Sequence, residues 1–136
     1  GLYPFKFLLD IGMRFPLHVA APGKAVLAFM PKREYETMVG DLKYKRFNSR
    51  TITTRKRMLE ELSWVRKHGY ALDRAEELEG VHCVAAPVID QYAYPIAAIW
   101  ITGPSDRLPE NRFEELGQVV REHANRISKR LGYGLL

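Results

Sequence analysis

Apolar side chains recur at every second position in Tyr3, Phe5, Phe7, Leu9 and Ile11, and this period predicts a strand over residues 3–11 with one buried face. Lys6 and Asp10 fall on its other face, together with Leu8. The pattern then turns helical. A small-residue segment from about Pro22 to Met30 is closed by Pro31, and a shorter helix over Arg33–Val39 is ended by Gly40. After Thr54, whose hydroxyl suits a helix start, Leu59, Leu62 and Val65 recur at three-residue steps. A helix over 55–68 follows, ended by Gly69, and Tyr70–Asp73 resumes extended structure.

Residues 82–89 and 96–102 carry the clearest strand pattern and are joined by a loop around Asp90–Pro95. If Ile89 pairs with Ile96, Cys83 faces Thr102 and Ala85 faces Trp100, all four on one side of the hairpin. The other side carries Val84, Val88, Ala97, Ile99 and Ile101, an ordinary core face. A last helix over about 110–131 repeats Phe113, Leu116, Val120, Ala124, Ile127 and Leu131 at helical spacing, a stripe suited to covering the sheet. Helices and strands in this order, with an antiparallel hairpin, give the α+β class.

Length and composition narrow the setting. At 136 residues, 46% hydrophobic and 27% charged, the chain reads as one globular domain with a core of its own. No apolar run approaches the roughly 20 residues that span a bilayer. Pro4 and Lys6 break the apolar start, so no secretory signal is read there, and no membrane partner is expected. Cys83, the single cysteine, allows no internal disulfide and fits a reducing, cytoplasmic setting. The net charge of +5 invites a nucleic-acid reading, but its distribution argues against one. Residues 43–57 hold seven cations and no acid, and without them 14 cations face 16 acids. The basicity is thus one local connection rather than a groove-lining face, and no zinc-finger, basic-zipper or RNA-binding pattern accompanies it.

Two places could bind a ligand. In Phe15–Ala28 an apolar loop runs into a helix at Pro22-Gly23. The amides of Gly23 to Ala25 would point back past the helix start, a ready site for a carboxylate, although a helix start that merely packs explains the same residues. The hairpin face of Cys83, Ala85, Trp100 and Thr102 mixes small residues, one large ring, a thiol and a hydroxyl. That composition suits a small-molecule pocket, and equally a core in which Trp100 fills the space above Ala85.

Four segments in order resemble the effector-sensing domain of IclR-type bacterial transcription regulators. They are Pro16-Leu17-His18 with Gly23-Lys24-Ala25, Arg50-Thr51-Ile52-Thr53, Gly69 to Asp73 with Gly80 to Val88, and Arg126 to Tyr133. The resemblance covers roughly residues 6–134. It implies a GAF/profilin-like antiparallel sheet flanked by helices, and an effector pocket lined by Phe15, Ala21, Pro22, Asp73, Cys83, Trp100 and Thr102. In that pocket the helix-start amides, Gly23 foremost, would hold a carboxylate, Asp73 and Thr102 would place a hydroxyl or carbonyl, and Phe15 and Trp100 would bury the apolar remainder. Two departures stand out: many relatives carry a small polar residue where this chain has Trp100, and a non-proline small residue at Pro22. Both lean toward an aromatic or flat acid over a short oxo acid.

The resemblance further implies self-assembly into dimers or tetramers and DNA contact only through a winged helix-turn-helix domain that is not in this sequence. The first elements of the sensing domain are expected to be missing as well. No cofactor or metal is expected. Three rivals set the bounds. Cys83, His18 and Asp73 have the residue types of a cysteine enzyme, but His82 faces away from Cys83 and nothing nearby lowers the thiol pKa. His18, Asp73, His82 and Cys83 are metal-ligand types without metal-site spacing, and His18 is better read as hydrogen-bonded within its loop. An oligomerisation module with no small ligand is the third.

Overall fold

A computed structural model describes residues 9–134. In chain order these are α1 (Ala21–Phe29), α2 (Lys32–Asp41), α3 (Arg55–His68), β1 (Ala71–Arg74), β2 (Val81–Ile89), β3 (Pro95–Pro104) and α4 (Phe113–Arg130), the last preceded by a single 3-10 turn at Glu110–Arg112. The strands form an antiparallel sheet in the order β1-β2-β3, so the chain is α+β, as its patterning implied.

The best-determined element is α3. Its start is fixed by the Thr54 hydroxyl, which accepts the Arg57 N–H at 3.2 Å, and its end by Gly69, whose φ of +80° lets its N–H reach the Val65 carbonyl. By contrast, α2 does not stop at Gly40. It continues to Asp41, because Gly40 keeps helical backbone angles.

Two cores sandwich the sheet. On one face Cys83, Ala85 and Ala71 pack with Leu27 of α1 and Met58, Leu62 and Val65 of α3. On the other, Leu72, Val84, Ala86 and Val88 pack under Phe113, Val120 and Ala124 of α4. The hairpin register is the expected one from Val81↔Pro104 to Val88↔Ala97, then slips, so that Ile89 pairs with Pro95 and not with Ile96. At this bulge the Ile89 N–H goes to the Ser128 hydroxyl at 2.9 Å. Ser128 therefore sits inside, on a buried α4 stripe of Phe113, Gly117, Val120 and Ala124, while Ile127 and Leu131 are exposed, contrary to the expected stripe. Ala97, expected on the core face, is also exposed. Of the strand expected over 3–11, residues 3–8 lie outside the described residues, and Leu9–Ile11 form irregular chain and a turn.

Gly117 sets how closely α4 approaches the sheet. A Cβ there would lie 2.5 Å from the ring of Tyr70, which is itself buried. Gly117→Ala is therefore expected to lose about 1–3 kcal/mol through overpacking, despite alanine's better helix propensity. Urea denaturation will show this as a lower midpoint at unchanged slope.

Candidate functional site

The helix α1 starts one residue earlier than its sequence suggested, with Ala20 as the cap and Pro22 at its second position. Its hydrogen-bond ladder opens with the Lys24 N–H on the Ala20 carbonyl at 3.0 Å. The Lys24 and Ala25 amides are thus used by the helix itself, which leaves those of Ala21 and Gly23 as the first-turn donors without a ladder partner. Gly23 is where the preceding loop presses closest: a Cβ there would be 3.0 Å from the Leu17 side chain.

In front of this helix end is a small cavity of about 30 Å³ that opens to the surface. Phe15, Ala21 and Pro22 form one wall, Asp73 and Cys83 the floor, and Trp100, 38% exposed, stands at the side. Ala20, Val81, Glu77 and Leu78 complete it. Six of the eight residues named from the sequence therefore meet around one space, because the register puts Asp73 opposite Cys83 and Ala85 opposite Trp100. Gly23 and Thr102 are not on its lining. The Thr102 hydroxyl is turned instead to its neighbours, accepting from the Cys83 thiol at 2.9 Å and donating to the His82 carbonyl at 3.3 Å.

The polar groups are tightly held. Asp73 is buried and its Oδ1 accepts the Glu76 N–H at 2.8 Å. Burial, reinforced by the charges of Glu76 and Glu77, pushes its carboxyl up to about 7 against the pull of that N–H and of Lys24. Burial likewise pushes the Cys83 thiol up to about 11, only partly offset by Thr102. A thiol so raised stays protonated at neutral pH and is a poor nucleophile. The histidines are engaged elsewhere. His18 Nε2 lies 2.8 Å from the Lys45 carbonyl, and His82 Nδ1 lies 2.8 Å from the Leu108 carbonyl against Phe113 on the other side of the sheet. No group of three or more potential metal ligands occurs among the described residues.

Two supports of the cavity were not recognised from the sequence. Lys24 is fully buried, with Nζ at 2.6 and 2.8 Å from the two Glu76 carboxylate oxygens, 3.3 Å from Glu61 and 2.9 Å from the Leu72 carbonyl. One signal was available: Ala21, Lys24, Ala25 and Ala28 share the inward face of α1, so a lysine stands at a core position. The second support is the basic connection. Thr51 accepts the N–H groups of Phe47 and Asn48 and donates to the Glu76 carbonyl at 2.7 Å, while Asn48 Nδ2 donates to the Ala75 carbonyl at 2.7 Å. Together they fasten the loop that carries Glu76 and Glu77, where Ala75 takes a φ of +58°.

Residues 3–129 match the family described as Bacterial transcriptional regulator IclR C-terminal, and the chain belongs to that family. It is 36% identical over 133 residues to the HTH-type transcriptional regulator KdgR of Escherichia coli (strain K12), covering 98% of this chain and 51% of the relative. The crystal structure of the Thermotoga maritima IclR superposes with a TM-score of 0.90 at 34% identity, over 98% of this chain and 54% of that one. The PobR inducer-binding domain from Acinetobacter, a double mutant in complex with 3-hydroxybenzoic acid, superposes with a TM-score of 0.77 at 28% identity, over 88% of this chain and 69% of that one. The chain spans about half the length of the curated relatives it matches. Those relatives are named as transcriptional regulators and repressors, not as enzymes. No described helix is long and apolar enough to cross a membrane.

Proposed function

We propose that this chain is the effector-sensing part of a bacterial transcription regulator, and that its effector is a small organic acid bearing a ring. The observation that carries the reading is the cavity itself. It sets two aromatic walls, Phe15 and Trp100, beside the first turn of α1 at Ala21 and a buried polar floor. An apolar body with one carboxylate suits the chemistry of that lining, and the cavity would have to widen to admit it. The PobR inducer domain, similar in fold, is held with an aromatic hydroxy acid. Coupling to DNA would be by linkage: an acid that favours one arrangement of the sensing domain shifts how paired DNA-binding heads, on a separate part of the longer protein, are presented. The same domain would join copies of the protein into dimers or tetramers.

A thermal-shift panel tests this on the 136-residue chain, with aromatic acids set beside aliphatic oxo acids. Saturable stabilisation by the aromatic acids is expected, since a ligand of the native state raises the melting temperature by mass action. Trp100→Ala is expected to weaken that response about tenfold or more in affinity while leaving the fold in place, because the ring is partly exposed. A response confined to oxo acids would make Trp100 a space-filler. Silence across the panel would favour a domain that only assembles.

A further inference from the structure

Charge around the cavity is one-sided. Asp73 and Glu77 line it, and among the described residues no cationic side chain does. The ammonium behind it, on Lys24 of α1, is shared among Glu76, Glu61 of α3 and the Leu72 carbonyl. Arg74, next to Asp73 on β1, turns its guanidinium to Glu61 at 3.5 Å. Across the sheet Asp73 meets Cys83 of β2, a neutral thiol, and beyond it Thr102 of β3. The loop before α1 lines the space with Phe15 and Ala20, both uncharged. A carboxylate entering the cavity therefore finds the first-turn amide of Ala21 in its favour and two carboxylates against it. Acid groups crowded into one poorly hydrated site do not all ionise together.

This observation rests on the reading of the effector as an acid and deepens it. We infer that the cavity takes its acid as a monoanion together with one proton, held by Asp73, and that Glu77 excludes ligands bearing a second carboxylate. Asp73 is equipped for this. Its Oδ1 is committed to the Glu76 N–H, which leaves Oδ2 as the oxygen to carry the proton. Because its carboxyl titrates near 7, a proton is within easy reach at neutral pH. Above that value the proton must be taken up on binding, so affinity falls as pH rises. Below it, binding is indifferent to pH until the ligand itself protonates.

Isothermal titration of the 136-residue chain with 3-hydroxybenzoate tests this from pH 6 to 8.5, in buffers of different ionisation enthalpy. The expected result is uptake approaching one proton per site at pH 8, with affinity falling up to tenfold per pH unit above 7. Asp73→Asn is expected to bind without that dependence. Isophthalate, the dicarboxylate counterpart, is expected to bind at least tenfold more weakly than 3-hydroxybenzoate, and Glu77→Gln to narrow the gap. Tight binding with no proton uptake and a flat pH profile overturns the inference and leaves the acid reading standing. No binding at pH 6 of 3-hydroxybenzoate or any other monocarboxylate, by parent or Asp73→Asn, overturns both.

Discussion

Lys24→Met is expected to cost the domain about 3–5 kcal/mol, and to lower its melting temperature by roughly 10–20 °C. Methionine fills nearly the same volume, so packing is not what is lost. The loss comes from Glu76 and Glu61, which stay buried with their shared ammonium gone: the Glu76 side chain is 5% exposed and that of Glu61 10%. Arg74 gives little relief, reaching only Glu61 and at 3.5 Å. The logic is asymmetric, because a buried ion pair is weak evidence for stability while a broken one is strongly destabilising. Lys24→Met combined with Glu76→Gln is therefore expected to recover a substantial share of the loss. Urea denaturation of the two variants beside the parent decides the matter. A loss below about 1 kcal/mol in the single variant would mean that water reaches the pair and that the burial described above is wrong.

The position of this cluster explains why a lysine is kept there. Lys24 extends from the first turn of α1 to Leu72 of β1 and to Glu76 just after it, so it ties the helix start to the strand and loop that carry Asp73 and Glu77. The bond spans 52 residues of sequence, and the one to Glu61 spans 37. Nothing local signals such pairings. The elements that were legible are those whose information is local. For α3 that information was the Thr54 hydroxyl, the three-residue steps and Gly69, and the structure reproduces both ends. In the β2–β3 hairpin, the register that followed from pairing Ile89 with Ile96 holds as far as Val88, and with it the juxtaposition of Cys83, Ala85 and Trp100, although the Ile89–Ile96 pair itself is lost to the bulge. Where local rules failed, a tertiary demand had overridden them. Ser128 displaces Ile127 from the core because the bulge at Ile89 needs an acceptor for its N–H. Thr102 lies on the anticipated face, yet its hydroxyl is taken up by Cys83 and His82 before it can reach the cavity. The resemblance to the family pointed to Asp73, but only the fold reveals the Glu77 carboxylate lining the same cavity.

Without any ligand, Asp73→Asn is expected to stabilise the domain at pH 8 by roughly 2–4 kcal/mol and to have little effect at pH 4. The sign follows from the proton balance. The native carboxyl titrates near 7 against an ordinary value of 3.8, so between these values the folded chain binds more protons than the unfolded one. Stability then declines as pH rises through that window, by at most about 1.4 kcal/mol per unit, and levels off above 7. Below pH 4 both states carry the proton and the carboxyl contributes nothing. Asparagine has no proton to release, and its oxygen can still accept the Glu76 N–H, so its own curve lacks this decline. Comparing parent and variant unfolding at each pH cancels the titration of the remaining acids. A gap that stays constant from pH 4 to 8 would show that Asp73 titrates as an ordinary carboxylate. A variant less stable at pH 8 would show that the ionised group is held favourably, with more positive charge around it than Lys24 supplies. The expected outcome instead describes a chain that gives up stability at neutral pH to keep a protonatable carboxyl at a cavity, a sacrifice characteristic of binding sites and without purpose in a core that merely packs.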